Sequence, residues 1–356
     1  MSAARLAILL ALALVVGGAL FWSGARRTPP QDAAVGAPVL PGLAAELDQV
    51  SGIRIAGAGS HTLVTLERRD GRWLVRELDY AADPARVRRL LLALGDLRVT
   101  ETKSTDPAGH AQLGVADLAD PQATGLELEL TGPAPARALL LGRAAGTRGS
   151  YVRIPDQPQA LEARPALQVE RAPRDWLART LVDVAATRVQ SFEIARNDGQ
   201  GWRAGKAQRN AAHYIATGLP RGRELTHAGA PDESAGALAG LEFDELRRAA
   251  ARSAGDRPER ATYRTFDGLV FNFEGRSTGA ERWIAMSVSA DPALAEHFAA
   301  DASAPPAAGS GATPPEESAT RAEAARLAAL AAGWEYRLAP FRYDALFRSR
   351  AELLRK

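Results

Sequence analysis

The pattern that most limits how this chain can fold is one that occurs twice. Leu66-Glu67-Arg68-Arg69-Asp70-Gly71 is echoed by Ile194-Ala195-Arg196-Asn197-Asp198-Gly199 at a constant offset of 128 residues, and Trp73 is answered by Trp202 after one inserted residue. Each copy sits between short alternating apolar runs, such as Leu63 to Leu66 and Trp73 to Val75. Asp-Gly supplies the positive φ that a tight hairpin needs, so the pattern predicts the same hairpin used twice.

The elements downstream of each copy strengthen the pairing. Asp83-Pro84 opens a helix, with Asp placed to accept from free amides and Pro where its missing N–H costs nothing. Val87, Leu90, Leu91 and Leu94 then fall at i, i+3, i+4 and i+7, with Gly95 as the stop. Leu97 to Thr102 alternates, and strands are expected near Gly125 to Leu130, Ala136 to Leu141 and Ser150 to Ile154. In the second half a helix is expected around Asp232 to Gly240, then a strand at Leu241 to Leu246. Leu269, Phe271 and Phe273 before Gly275 answer Leu126, Leu128 and Leu130 before Gly132, and Trp283-Ile284 answers Tyr151-Val152. Thr320 to Ala332 has helical composition, Trp334 to Leu338 reads as a final strand, and Tyr343 to Leu354 as a closing amphipathic helix.

The expected fold class is α+β: two tandem related modules of antiparallel sheet with packed helices, at 49–184 and 185–356, after one N-terminal transmembrane helix. A length of 356 residues with 46% hydrophobic side chains suits two domains of ordinary size. Low-complexity 301–318 is expected to be a flexible insertion in the second module.

Ahead of the modules, residues 6–22 are unbroken apolar and small side chains within a 1–27 segment flanked by Arg5, Arg26 and Arg27. Seventeen helical residues span roughly 25 Å, which with Ser23 to Ala25 suffices for an inner-membrane signal anchor, while Ser23-Gly24-Ala25 as a small-x-small site keeps a cleaved secretory signal as the competing reading. Pro29, Pro30, Pro38 and Pro41 make 28–48 a Pro/Ala-rich linker. A long domain after an anchor translocates largely regardless of nearby charge, so the bulk is expected to be periplasmic. Arg5, Arg26 and Arg27 are the only charged side chains in residues 1–27, leaving 41 basic against 42 acidic side chains beyond that segment. That neutral body speaks against nucleic acid as a partner.

No catalytic, cofactor or metal residues are assigned. There is no cysteine, and His61, His110, His213, His227 and His297 show no i, i+4 pair. His61 follows Ser60, but adjacent strand residues face opposite ways. Gly201 to Lys206 is one residue short of a phosphate loop and Ala207 replaces its hydroxyl. Glu242 and Asp244 alternate with Leu241 and Phe243 as the wet face of a strand does. Arg86, Arg88 and Arg89, with Arg68, Arg69 and Arg72 on the hairpin, form the densest basic cluster and read as a solvated face. Trp73, Trp202 and Trp283 read as core plugs.

The order of these elements resembles the bacterial domain of unknown function 4340 family. The resemblance rests on Asp70-Gly71-x-Trp73, Ala82-Asp83-Pro84, Thr105-Asp106-Pro107 to Leu113-Gly114-Val115, Asp120-Pro121 and Leu141-Gly142, over Val50 to Val184. It implies an α+β fold and a membrane-anchored auxiliary of gliding-motility-type ABC transporters, with no catalytic residues to carry over. The expected function is therefore a non-enzymatic accessory protein that binds a partner protein, such as ABC transporter subunits, or an exported substrate. Two other readings stay open: an envelope hydrolase using carboxylates at an intermodule cleft, and a module that touches anionic lipid through Arg86 to Arg89.

Overall fold

The structure is a computed structural model that describes residues 35–132, 135–249, 257–299 and 315–355. The expected anchor at 6–22 lies outside the described residues. No helix among the described residues is long and apolar enough to cross a membrane. The chain is α+β, with two large, wholly antiparallel sheets, and divides into two compact units, one ending at Leu177 and the next beginning at Ala178. The boundary thus falls after Leu177 and not after Val184.

The first unit contains β1 (Gly52–Gly57), β2 (His61–Arg69), β3 (Arg72–Val75), β4 (Tyr80–Ala81), helix α1 (Pro84–Gly95), β5 (Arg98–Thr102), helix α2 (Pro107–Leu113), β6 (Leu126–Thr131), β7 (Arg137–Ala145), β8 (Gly149–Arg153) and β9 (Ala160–Arg164). They form one sheet in the order β4-β3-β2-β1-β6-β7-β8-β9-β5. Registers align Tyr80, Val75, Leu66, Ile53 and Leu130 across five strands, all buried, so one face of the sheet is the core. Helix α1 forms as its spacing predicts: the Asp83 carboxylate accepts from Ala85 N (2.9 Å) and Arg86 N (3.2 Å), and Val87, Leu90, Leu91 and Leu94 are buried. Asp70 and Gly71 both take positive φ, 51° and 76°, which makes the two-residue turn between β2 and β3.

From residue 35 on, the expected linker belongs to the fold. Gly36 N donates to Val99 O (2.8 Å) and Val39 N to Leu97 O (2.9 Å), so this stretch covers the β5 edge. Val39, Leu40 and Leu43 are buried, and these apolar side chains outweigh the spacer-like Pro content.

The second unit contains β10 (Thr180–Val182), β11 (Val189–Ala195), β12 (Trp202–Gly205), β13 (Ile215–Thr217), β14 (Leu241–Glu242), β15 (Glu245–Arg248), β16 (Glu259–Thr265), β17 (Leu269–Thr278), β18 (Glu281–Ala290), helix α3 (Pro292–Ala299), helix α4 (Pro315–Ala331), β19 (Trp334–Arg337) and helix α5 (Pro340–Leu346). Its main sheet runs β13-β12-β11-β16-β17-β18-β19-β15, while β10 pairs with β14. Three expectations change here. Asp232 to Gly240 yields only helical turns, at Asp232–Ala235 and Gly236–Leu238. The closing helix is split into α5 and a turn at Arg350–Leu353, which Ser349 and Glu352 cap reciprocally. Helix α4 begins at Pro315, so the last residues of the expected insertion are helical, and 301–314 lie outside the described residues.

The repeat is present in the sheets: Tyr151-Val152 on β8 does answer Trp283-Ile284 on β18, and β5 answers β15, but the hairpin and the Leu126 to Leu130 pairings are shifted by one strand from the sequence alignment. Counted from β5 and β15, the two orders coincide: β9 with β19, β8 with β18, β7 with β17, β6 with β16, β1 with β11, β2 with β12 and β3 with β13. Because every neighbour is antiparallel, strand directions agree as well. The hairpin β2–β3 therefore does not correspond to β11–β12, nor does Leu126 to Leu130 correspond to Leu269 to Phe273. Only Asp70 and Gly71 separate β2 from β3, whereas Arg196 to Gly201 separate β11 from β12, where the Asp198 carboxylate accepts from Gln200 N (2.9 Å). Asp-Gly recurs for different reasons in the two loops.

The C-terminal segment closes the second core. Carbonyls at the end of α5 accept from Tyr263 Oη at Leu346 (3.0 Å), Arg196 Nη1 at Phe347 (2.5 Å) and Trp202 Nε1 at Arg348 (2.9 Å). These are the acceptors that a helix end leaves open. Gly275 permits the approach: a Cβ there would lie 2.6 Å from the Phe347 ring and from Tyr343 Oη. Gly275→Ala is expected to destabilise the protein by about 1–3 kcal/mol through overpacking, read as a lower denaturant midpoint at unchanged slope. An unchanged midpoint would remove the close approach as a constraint.

Candidate functional site

Strand parity decides what the second sheet presents on each side. One face carries Phe192, Trp202, Tyr263, Phe271 and Phe273, all buried, with Phe192 against Trp202 (5.1 Å) and against Tyr263 (5.6 Å). Helices α4 and α5 take this side: Tyr336 Oη donates to Leu330 O (3.1 Å), and Val288 lines a cavity of about 290 Å³ with Thr320, Ala324 and Ala328.

The opposite face is polar. Registers place Thr217, Arg203, Glu193, Thr262, Asn272 and Ser287 in one row across β13, β12, β11, β16, β17 and β18. Thr262 is half-buried and the other five are exposed. Thr262 Oγ1 hydrogen-bonds Asn272 Oδ1 (2.9 Å), and Arg203 Nε donates to Thr217 Oγ1 (3.0 Å). At the β13 end a concavity of about 400 Å³ is lined by Glu193, Arg203 and Thr217 with Gly199, Gly201 and Gly218.

At the other end the same face holds a charged cluster. Glu335 on β19 is only 3% exposed; Oε2 accepts from Arg247 Nε (2.9 Å) and Nη2 (2.8 Å), and Oε1 from Arg276 Nη1 (2.5 Å). Both oxygens of the buried carboxylate are thus compensated. The Arg247 guanidinium lies 3.8 Å from the Trp283 ring, whose Nε1 donates to Glu281 (2.8 Å), and Arg337 pairs with Glu245 (2.8 Å). Each long side chain here is held by at least one fixed partner.

Other polar clusters tie elements together. Arg188 forks onto Asp267 (2.5 Å) and Glu323 (2.7 Å), joining the β16–β17 turn to α4. Burial pushes the Asp267 carboxyl up, but hydrogen bonds from Arg188 and Thr265 outweigh it and hold the group below the usual carboxylate range. In the first unit, buried Arg153 donates to Val115 O (2.9 Å) and Gln157 O (3.0 Å) and pairs with Asp117. His110, also buried, bonds Pro158 O through Nε2 (2.7 Å). The segment from Thr105 to Val115 is thereby fastened to the end of β8.

The residues weighed in the sequence do not converge. His61 is exposed at the start of β2, His213 bonds Asp232 (2.7 Å), His227 lies 3.7 Å from Glu233, and His297 stacks edge-on with Phe298. No group of three potential metal ligands occurs among the described residues. Gly201 to Lys206 is mostly strand β12. Glu242 and Asp244 are exposed. Arg86 lies 3.6 Å from Asp83 and 3.7 Å from Glu170, while Arg88 and Arg89 are exposed on α1. Trp202 and Trp283 are buried; Trp73 is only half-buried, and on β3 it is not the counterpart of Trp202 on β12. The polar row and the Glu335 cluster do not stand out in the sequence. Their signal is the alternation of Asn272, Glu274 and Arg276 with Phe271, Phe273 and Gly275.

The family model for a domain of unknown function, DUF4340, matches residues 73–263, more than half of the chain. The chain belongs to this family. No curated protein and no solved structure matches it. In this DUF4340 member the matched stretch runs from β3 into β16, so it takes in the Arg153 and His110 contacts and four of the six residues of the polar row.

Two contacts lend themselves to measurement. Glu335→Gln is expected to lower stability by about 2–4 kcal/mol, because it leaves Arg247 and Arg276 without their counter-charge, whereas Glu245→Gln, in a half-buried pair that water still reaches, costs less than about 1 kcal/mol. Equal midpoints for the two variants would contradict the burial argument. Asp267 has a depressed pKa in the folded state, so its contribution is present above the unfolded carboxylate value near 4 and is lost as pH falls through the lower folded value. The stability gap between wild type and Asp267→Asn should therefore shrink below about pH 4. A gap that is constant down to about pH 2 would exclude the linkage.

Proposed function

We propose that this DUF4340 protein is a non-enzymatic accessory protein: two related sheet modules outside the cytoplasm, held at the inner membrane by residues 6–22, that bind a partner protein or an exported substrate. The observation that carries this reading is the ordered polar row of Thr217, Arg203, Glu193, Thr262, Asn272 and Ser287 on the solvent side of the second sheet. Asp106, Asp198, Glu233 and Asp267 all have lowered pKa values, through hydrogen bonds from Ser104, Arg196, Arg348 and Arg188 respectively, with burial opposing the fall most strongly at Asp267. A general acid needs its pKa raised toward working pH, and these shifts run the other way. An ordered, solvent-facing row of donors and acceptors suits recognition instead.

The family resemblance makes ABC transporter subunits the partner to look for, with the protein as an auxiliary. Mild crosslinking in the native membrane followed by capture of the full chain should recover an ABC permease, and the yield should fall when Arg247 and Arg276 are both replaced by alanine. Recovery of no transporter subunit above background would overturn the transporter assignment. Turnover of a glycosidic, peptide or ester substrate that survives re-purification would overturn the non-enzymatic one.

A further inference from the structure

We propose that the cavity between α3, α4 and β18 binds a small cationic amphiphile, a primary ammonium on an apolar body of about ten carbons. The site lies on the aromatic side of the second sheet, away from the polar row. It goes beyond the surface read as facing a partner, because it names a small-molecule class.

Size sets the scale of the ligand. The cavity measures about 290 Å³. A cavity of roughly 150 Å³ takes one benzene ring, so this one has room for about twelve non-hydrogen atoms. Protein interiors are close-packed and seldom leave so large a space. Its origin is the sheet-facing side of α4, where Thr320, Ala324, Leu327 and Ala331 are buried. The short side chains of Ala324 and Ala328 leave the space open opposite Val288, and Pro292 and Ala295 of α3 make a further wall.

The polar groups of the lining gather at one end. Asp291 N donates to Gly268 O (2.7 Å), and a Cβ on Gly268 would collide with Asp291 O and lie 3.0 Å from the Ala295 side chain. That close approach, at a φ of 89° which favours glycine, sets Asp267 of the β16–β17 turn beside Asp291 at the start of α3. Glu323, one turn from Thr320 on α4, shares Arg188 with Asp267 and so brings Thr320 to the same end.

Thr320 is the group that calls for a ligand. It is only 6% exposed, it lines the cavity, and its hydroxyl has no hydrogen-bond partner among the described residues. A pure hydrocarbon in the cavity would leave that hydroxyl unpaired, whereas a polar head group at this end satisfies it.

Charge selects the head group. Arg188 is one positive group between two carboxylates, Asp267 and Glu323, and the Asp291 carboxylate accepts only from Leu294 N (3.1 Å) among the described residues. Hydrogen bonds from Arg188 and Thr265 hold Asp267 ionised against the pull of its burial. This end is therefore short of positive charge. Arg321, which also lines the space, is exposed and already has an interaction of its own. An anion would enter beside two carboxylates, while the three N–H groups of an ammonium can donate to Asp267, Asp291 and the Thr320 hydroxyl.

The test is calorimetric titration of the full chain in lipid nanodiscs, with empty nanodiscs subtracted, against octylammonium, octanol, octanoate and the zwitterion α-aminooctanoate. Octylammonium should bind about tenfold more tightly than octanol, and octanoate should show no binding. Ala328→Leu fills the cavity and should abolish octylammonium binding while the melting midpoint holds or rises. Thr320→Val should weaken binding about threefold, again with the midpoint held or raised, because a buried hydroxyl without a partner is removed. Asp291→Asn keeps a side chain able to cap α3 and should narrow the preference for octylammonium over octanol. No saturable binding of octylammonium, binding that Ala328→Leu leaves intact, an unchanged preference in Asp291→Asn, or tighter binding of any of the other three probes would each overturn the proposal. So would a lower midpoint for Thr320→Val with binding unchanged, since the hydroxyl would then serve the fold. A transporter subunit recovered by crosslinking together with blank titrations would sink the amphiphile inference and leave the accessory role standing.

Discussion

Period-two alternation in β16, β17 and β18 is the constraint on which the second unit depends. The same strands that turn Tyr263, Phe271, Phe273 and Met286 into a core turn Thr262, Asn272, Glu274 and Ser287 toward solvent. A slip of one residue in any of these pairings would exchange the two sets, burying Glu274 and exposing Phe273. Core and candidate site are therefore specified together. Tyr263 fixes this alignment further, because its hydroxyl reaches Leu346 O only from the buried side. The three capped carbonyls after α5 and the side-chain-free Gly275 then lock the C-terminal segment onto the face that the aromatic residues define.

The two units solve one topology with different materials. The first fills its core with branched aliphatics, Ile53, Ile55, Val64, Leu66, Leu128 and Leu130, and covers it with the twelve residues of α1. The second has only short helical turns in the place of α1 and packs rings instead, with Phe192 touching Trp202, Tyr214 and Tyr263. Rings cover more area per residue than aliphatic side chains, so fewer covering residues are needed. The later part of the second unit also carries α3 and α4 between β18 and β19, where the first unit has only Ile154 to Gln159 between β8 and β9.

Local chemistry was readable from the chain, and equivalence between its halves only in part, at β8 with β18 and β5 with β15. The N-cap at Asp83, the stripe of α1 and the turn at Asp70-Gly71 each depend on contacts a few residues apart, and all three stand in the structure. The strand at Leu241 to Leu246 was legible too, as an alternation broken only by Phe243 and Asp244 between β14 and β15. The misalignment of the repeat has a plain cause. Asp-Gly marks a turn without saying which turn, and β1, with its two core isoleucines, is the true counterpart of β11 with Phe192 and Ile194. Sheet order depends on pairings far apart in sequence, such as β5 with β9 and β15 with β19, which no local pattern encodes. The Glu335 cluster was hidden for the same reason: Arg247, Arg276 and Glu335 come from three strands separated by long stretches of chain.

Arginine use ties these observations to function. In a chain with 44 basic side chains, several guanidinium groups of the second unit are engaged by carboxylates and carbonyls. Arg188 joins a turn to α4, Arg196 caps α5, and Arg247 both compensates Glu335 and shields Trp283. A guanidinium held at several donors loses little further freedom on meeting a ligand, so a surface built from such groups is rigid before anything binds. Rigidity of that kind favours recognition by many weak, well-placed hydrogen bonds over capture by one strong charge.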